Sequence, residues 1–447
     1  MLNNKYPITS FRQLLLVSIP LVLTVLSIHT MFLVDRIVVS NYDVAALSPV
    51  TMAGNFCGIL EFGAVLLASI SEVFVGRYNG SNKTHLIASP VWQMLWFSFA
   101  LFLISIPMSL YGGGFFLKEE FLKYGDPYYK VCMFFAPIPS MISALSAFYI
   151  GRGKVIPTTV IVILGNALNI LLDIVMVFGW KSIPAFGPVG AAYATVISSV
   201  FQAAVLFAMF LSRKNRIKYN TGFMQFDFSL FKRCLKIGLP NAIGVSVEIF
   251  GWFSVLLITS HLGKGYSDIQ SMTQNIIIFF MFFTDGVSKG VCVIASNMIG
   301  AKKINIMNKL LSSGLRLNGA YIACISIPLV FYPELVLKVF FGDLSGYSQY
   351  FIDQSILALK YSWGLLFLDG LFWVGAGILV AGGDTLFLTA VNSLTIWIFS
   401  IIPIVIIVKF FDVSPSSLWL IMGIYKLVAL CALFIRYRSK KWVKLTL

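Results

Sequence analysis

The sequence predicts an all-α membrane protein: twelve transmembrane helices in two six-helix lobes, residues 1–220 and 221–447, related by a pseudo-two-fold axis along the membrane normal. Three observations carry that prediction. The chain is 58% hydrophobic and only 11% charged, against about 25% charged usage in soluble domains, and its apolar residues fall in runs of about 20 or more, the length a helix needs to cross a bilayer. Basic residues crowd every second loop. The second half of the chain repeats landmarks of the first at a fixed offset.

Taken in order, the apolar runs and their polar breaks place spans at Leu14–Val39, Leu47–Val75, Pro90–Tyr111, Tyr124–Ile150, Pro157–Phe178 and Val189–Leu211. A second set follows at Cys234–His261, Ile269–Met298, Leu310–Phe331, Phe351–Val380, Leu386–Val408 and Leu418–Ile435. The amino terminus runs straight into a full-length span and lacks the short apolar core and small-residue cleavage site of a signal peptide, so the first helix is expected to stay in the mature protein. That helix carries Pro20 near its start, which removes one backbone hydrogen bond and lets the helix bend. Pro240 does the same in the seventh span.

The loops at Lys5 and Arg12, Arg77 and Lys83, Arg152 and Lys154, Arg213 to Lys218, Lys302 to Lys309 and Arg436 to Lys441 are basic. Those between them balance their charge with acids, as in Lys118, Glu119, Glu120, Lys123 and Asp126, or Glu334, Lys338 and Asp343. The positive-inside rule then puts both termini in the cytoplasm, and the same alternation accounts for the net charge of +15 without nucleic acid. Six cysteines, mostly inside apolar runs and without CxxC spacing, argue against a zinc site or a disulfide framework. The stretch Gly76 to Thr84 superficially resembles a phosphate-binding loop. Its glycine and lysine spacing is wrong and no strand precedes it, so nothing points to ATP, and no cofactor is expected.

The repeat is specific. Phe11 to Pro20 aligns with Phe231 to Pro240, and the same offset pairs Gly80 and Lys83 with Gly300 and Lys303. Each half holds an even number of spans, so both face the same way, and a cleft between two such lobes is where a transporter keeps its substrate.

A charged side chain inside a span is costly, about 2.5 to 3.5 kcal/mol at its centre on insertion scales, so intramembrane charges are functional suspects. Asp35 closes the first span. Asn166, Asn169 and Asp173 share one face of the fifth, and Thr195 and Ser198 put hydroxyls on the sixth. Together they supply the oxygen ligands that a hard cation takes, or two acids with coupled titrations. In the second half, Glu248 follows Pro240 by eight residues and Asp369 lies in an aromatic-rich run, two acids read as unpaired and attractive to a cationic ligand. Asp285 and Lys289, four apart, are expected to neutralise each other. Glu61, Glu72 and Lys426 have no assignment from the sequence.

With these residues identified, the sequence resembles the multidrug and toxic compound extrusion (MATE) family, within the multidrug/oligosaccharidyl-lipid/polysaccharide flippase superfamily. The resemblance rests on Val34-Asp35, Val75 to Gly80, Asn169 to Asp173 with Gly190 to Ser198, Gly238-Leu239-Pro240 to Glu248, and Asp369 with Gly382-Gly383-Asp384-Thr385. It implies a secondary antiporter in a bacterial inner membrane, monomeric, exporting organic cations in exchange for protons or sodium. It also implies a coupling site of Asp35, Asn169, Asp173 and Thr195, which would also hold any sodium, and a substrate or second cation site of Glu248 and Asp369. Leu365 stands where sodium-coupled members can carry tyrosine, and Arg77 where glutamine is common, so the coupling ion stays open. Two alternatives remain. A flippase for a lipid-linked oligosaccharide would need arginines within the spans to hold a diphosphate, and here they lie almost entirely in loops. A lipid-modifying enzyme would need a clustered His/Asp or metal motif, and none is apparent.

Overall fold

The computed structural model describes residues 6–116, 122–181, 183–342, 344, 346–411 and 413–444. The charges at Lys5, Lys118, Glu119, Glu120 and Asp343 lie outside these. The described chain is helical, with no strand and only an isolated bridge between Trp180 and Ile183. Among the described residues, twelve helices are long and apolar enough to cross a membrane: α1 Phe11–Tyr42, α2 Ala45–Gly80, α3 Thr84–Tyr111, α4 Leu122–Ile150, α5 Val155–Phe178, α6 Pro188–Phe210, α7 Phe228–Leu262, α8 Gly265–Gly300, α9 Ile304–Phe331, α10 Gln349–Gly382, α11 Thr385–Phe410 and α12 Pro415–Arg438.

The expected spans fall on these helices one for one. The difference is at the ends: α7 begins at Phe228 rather than Cys234, and α9 at Ile304 rather than Leu310. Polar and basic residues at those ends, such as Lys232 and Arg233, carry long stems that keep the charge in water while the backbone stays helical, so an apolar run understates the helix.

Several helices are interrupted where their sequence cannot sustain regular hydrogen bonding. Pro20 lies inside α1 and Pro240 inside α7, each removing a ladder bond. α2 breaks at Ile70, beside which the Ser71 hydroxyl donates back to the Ala68 carbonyl at 2.8 Å. Wide π-turns occupy Ile327–Phe331, which contains Pro328, and Trp397–Ile401, two residues before Pro403. Asp43, between α1 and α2, caps α2 by accepting from the Ala45 amide at 2.9 Å, and Tyr124 donates its hydroxyl to the same carboxylate at 2.8 Å. That phenol, with the Ala45 amide second, holds the Asp43 carboxyl below its ordinary range.

The chain divides into two compact units. The first comprises Leu23–Ala242 with Ser296–Lys303, and the second Lys5–Val22, Ile243–Ala295 and Ile304–Leu447. The divisions inside α1 and α7 fall two residues beyond Pro20 and Pro240.

In the first unit, Asn297 ties three segments together: its amide donates to the Gly151 carbonyl at 2.7 Å and accepts from Asn79 Nδ2 at 2.6 Å. Around it the backbones meet with no room for side chains. A Cβ on Gly80 would overlap the Asn297 carbonyl, and one on Gly300 the Arg77 carbonyl, which is why the Gly80/Gly300 landmark of the repeat is glycine. Beside this contact the buried Arg152 guanidinium lies 3.7 Å from the Phe148 ring centroid and 4.4 Å from that of Tyr219. In the second unit, Gly286 and Gly290 on α8 receive Val22 and Ser18 from the start of α1. A buried apolar cluster including Trp419, Ile276, Leu359 and Ile396 fills its interior.

Candidate functional site

The first unit holds a polar stripe in otherwise apolar helices. On α1, Thr24, Ser27 and Asp35 recur at helical spacing; on α5, so do Thr159, Asn166, Asn169 and Asp173. The two faces are matched rung by rung. Thr24 donates to the Thr159 hydroxyl at 3.0 Å, and Asn166 Nδ2 to the Ser27 hydroxyl at 2.9 Å. The Asn169 amide, oriented to satisfy both its ends, donates to Asp35 Oδ1 at 3.0 Å and accepts from the Thr195 hydroxyl at 3.3 Å and the Thr195 backbone N–H at 3.2 Å. Asp35 and Asp173 lie close enough for their carboxyl groups to interact directly.

The structure thus brings together all four residues proposed from the sequence for the first site: Asp35, Asn169, Asp173 and Thr195. A direct hydrogen bond between the two carboxyl groups would require a proton on one of them. One oxygen of Asp173, Oδ1, is buried without a hydrogen-bond partner. The oxygen set is therefore two carboxyls, an amide and a hydroxyl, able to share one proton or to turn toward one hard monovalent cation. Ser198 does not join it, since its hydroxyl is spent on the Thr195 carbonyl of its own helix at 2.9 Å. Ser27 and Gln202, whose amide lies 3.5 Å from Asn166 Oδ1, are additional members. Ser27 stands eight residues before Asp35 on the same helical face, a signal that spacing alone offered.

The second unit brings Glu248 and Asp369 together as well, but not as unpaired acids. Lys426, from α12, sits between them, its Nζ 2.9 Å from Glu248 Oε1 and 2.8 Å from Asp369 Oδ1. The lysine is 0% exposed, against 7% for Glu248 and 3% for Asp369. Asn392 Nδ2 donates to Glu248 Oε2 at 2.6 Å, and the Trp373 side chain lies close to Asp369. The expectation that neutral residues here would remove an unpaired charge is corrected: the charge is paired, because two carboxylates at this depth need a counter-ion. Lys426, unassigned in the sequence, supplies it. Its partners stand 178 and 57 positions away, so no local spacing rule links them. Asp285 and Lys289 form no ion pair among the described residues; Lys289 is exposed and Asp285 only half-buried.

Comparison with known proteins shows what the chain is similar to. Residues 20–175, which include Asp35, Asn169 and Asp173, match the MatE family. The chain carries a MatE domain. The probable multidrug resistance protein NorM of Mannheimia succiniciproducens is 22% identical over 96% of this chain and 94% of its own length. The multidrug resistance protein MdtK of Photorhabdus laumondii is 24% identical over 87% and 85%. The fold is that of solved MATE transporters: an outward-facing multidrug resistance MATE family transporter of the MOP superfamily superposes with a TM-score of 0.86 at 19% identity, covering 100% of both chains. MATE family members are transporters rather than enzymes, and the twelve apolar helices support an integral, multi-pass membrane protein.

Proposed function

We propose that this chain is a secondary active antiporter that exports organic cations, drugs or toxic metabolites, in exchange for protons or sodium bound at Asp35, Asn169, Asp173 and Thr195. The single observation that carries the reading is the close Asp35–Asp173 carboxyl pair, brought together from two membrane-spanning helices with Asn169 joining Asp35 to Thr195. Such a pair gains or loses one cation at modest cost, and its occupancy follows the concentration on whichever side it meets. The multidrug resistance relatives support the choice of substrate class.

The first site is expected to do the exchange and Glu248 and Asp369 to contribute to substrate selection, in two six-helix lobes of one monomeric chain. Pro20 lies fifteen residues before Asp35, about 22 Å along a straight helix, so occupancy at the carboxylate can bias the bend of α1 from well beyond it. Alternating basic loops support cytoplasmic termini in a bacterial inner membrane.

The test is ethidium efflux from proteoliposomes with a sodium or a proton gradient imposed separately, alongside equilibrium dye binding. Asp35→Asn is expected to abolish gradient-driven efflux and leave dye binding largely intact. Full coupled efflux by Asp35→Asn would remove this site from the mechanism.

A further inference from the structure

The two acidic sites differ in one respect that the family reading does not supply. In the first unit no lysine or arginine among the described residues forms an ion pair with Asp35 or Asp173, and the neighbouring Arg36 acts on Asp35 only through its charge. In the second the neutralising cation is part of the chain.

The Lys426 ammonium has three protons. Two carboxylates take it at 2.9 and 2.8 Å, and aromatic rings wall it in, with centroids at 4.7 Å for Phe372, 5.2 Å for Tyr425 and 5.6 Å for Trp373. Attraction to the ring faces adds to the ionic contacts. The second oxygen of Glu248 also accepts, from the Asn392 amide, and the Trp373 side chain lies against Asp369. A sodium ion at this place would need several oxygens, and these already accept N–H donors. A tethered ammonium also has the advantage of concentration: it is always at the site, whereas a free ion competes from solution.

We propose that Lys426 is the resident cation of the Glu248–Asp369 pair and a specificity-determining residue: its ammonium fills the place of a free monovalent cation, so this pair binds no sodium while Lys426 is present. This rests on the reading above only in treating the pair as a cation site. A lysine that merely packed the core would be replaceable by a neutral side chain without changing ion binding. A resident cation leaves a vacancy with the chemistry of a small ammonium.

The experiment measures binding of radioactive sodium to the purified full-length chain in an Asp35→Asn/Asp173→Asn background, which removes the first unit's carboxylates as sodium ligands. The parent is expected to show no saturable sodium binding that depends on Glu248. Lys426→Gln should gain saturable binding at least tenfold above the parent, lost again on adding Glu248→Gln, while Lys426→Arg should remain closed. As an independent readout, Lys426→Ala should be stabilised saturably by ethylammonium, in competition with sodium, and the parent should not. Sodium binding by the parent that Glu248→Gln abolishes would overturn the proposal, as would a monodisperse, helical Lys426→Gln that binds none. If neither lysine variant folds, the parent measurement decides alone. The assay needs no transport, so its failure is separable from failure of the efflux test.

Discussion

The buried Lys426 cluster gives a ranking of stabilities that depends on charge rather than on volume. Replacing Lys426 with Met keeps a chain of similar length but leaves two carboxylates, with side chains 9% and 4% exposed, facing each other without a counter-ion. Removing one partner of a buried pair costs about 3–5 kcal/mol, and here one substitution strips both acids, which places Lys426→Met at the upper end. Asp369→Asn is milder: Lys426 and Glu248 remain as a one-to-one pair, so the loss is one charged contact, about 1.5–3 kcal/mol. The triple variant Lys426→Met/Glu248→Gln/Asp369→Asn should recover much of the loss, since a neutral, well-packed replacement of a buried ion cluster is often tolerated. The assay is thermal unfolding in detergent at one fixed scan rate, read as an order of melting temperatures, because unfolding of a protein this size is not reversible. The expected order places the Lys426→Met single variant lowest. A Lys426→Met protein that melts with the parent, or a triple variant that melts below the Lys426→Met single variant, would refute the assignment of these groups as an ion cluster.

Other consequences are local. Gly300→Ala or Gly80→Ala forces a methyl into a backbone carbonyl, so each should lower the yield of monodisperse protein, as size-exclusion chromatography of the solubilised variant will show; wild-type yield from either would contradict the contact. Asn297→Ala removes the group that joins Asn79 to Gly151 and leaves buried polar partners, at about 1–3 kcal/mol, checked by the melting temperature against Asn297→Asp. At Asp43 the folded-state pKa is depressed, chiefly by the Tyr124 hydroxyl, so its stabilising contribution is present above the ordinary carboxylate range and is lost as pH falls through the depressed value. Tyr124→Phe should shrink that acid-side loss, and melting temperatures of both proteins from pH 6 down to pH 3 that fall in parallel would exclude the interaction.

What the sequence made legible follows from the range of each interaction. Helices and their number are written in runs of neighbouring residues, so all twelve were readable, and errors at their ends came from polar residues such as Lys232 that continue a helix beyond its apolar stretch. The first acidic site was also readable in large part, because Asn169 and Asp173 are one helical turn apart and Asp35 is a lone acid in an apolar run. The lysine that neutralises Glu248 and Asp369 was not. It is brought to them by three separate helices, and in the sequence Lys426 is simply a charge in the wrong place. A contact of that kind is decided by packing, which no spacing rule encodes. The wrong expectation of unpaired acids had the same origin: a buried carboxylate implies a partner, but does not say whether it arrives from solution or from the chain.

That distinction orders the two sites. An acid pair can take part in exchange only if the species neutralising it can leave, and a proton or free ion at Asp35 and Asp173 can leave, whereas the ammonium of Lys426 is covalently held to α12. On the proposed reading, gradient energy therefore enters through the first unit, and the second unit responds to a cationic substrate only by giving up contacts between its own residues. A substrate ammonium that approaches Glu248 or Asp369 must offer more than Lys426 already does, in charge placement or in contact with Phe372, Tyr425 and Trp373. An inorganic ion has no rings to stack and no apolar surface to bury, so the lysine discriminates against it first. On the same proposal, selection for bulky aromatic cations would arise from an ion pair inside the protein, through the cost of displacing it.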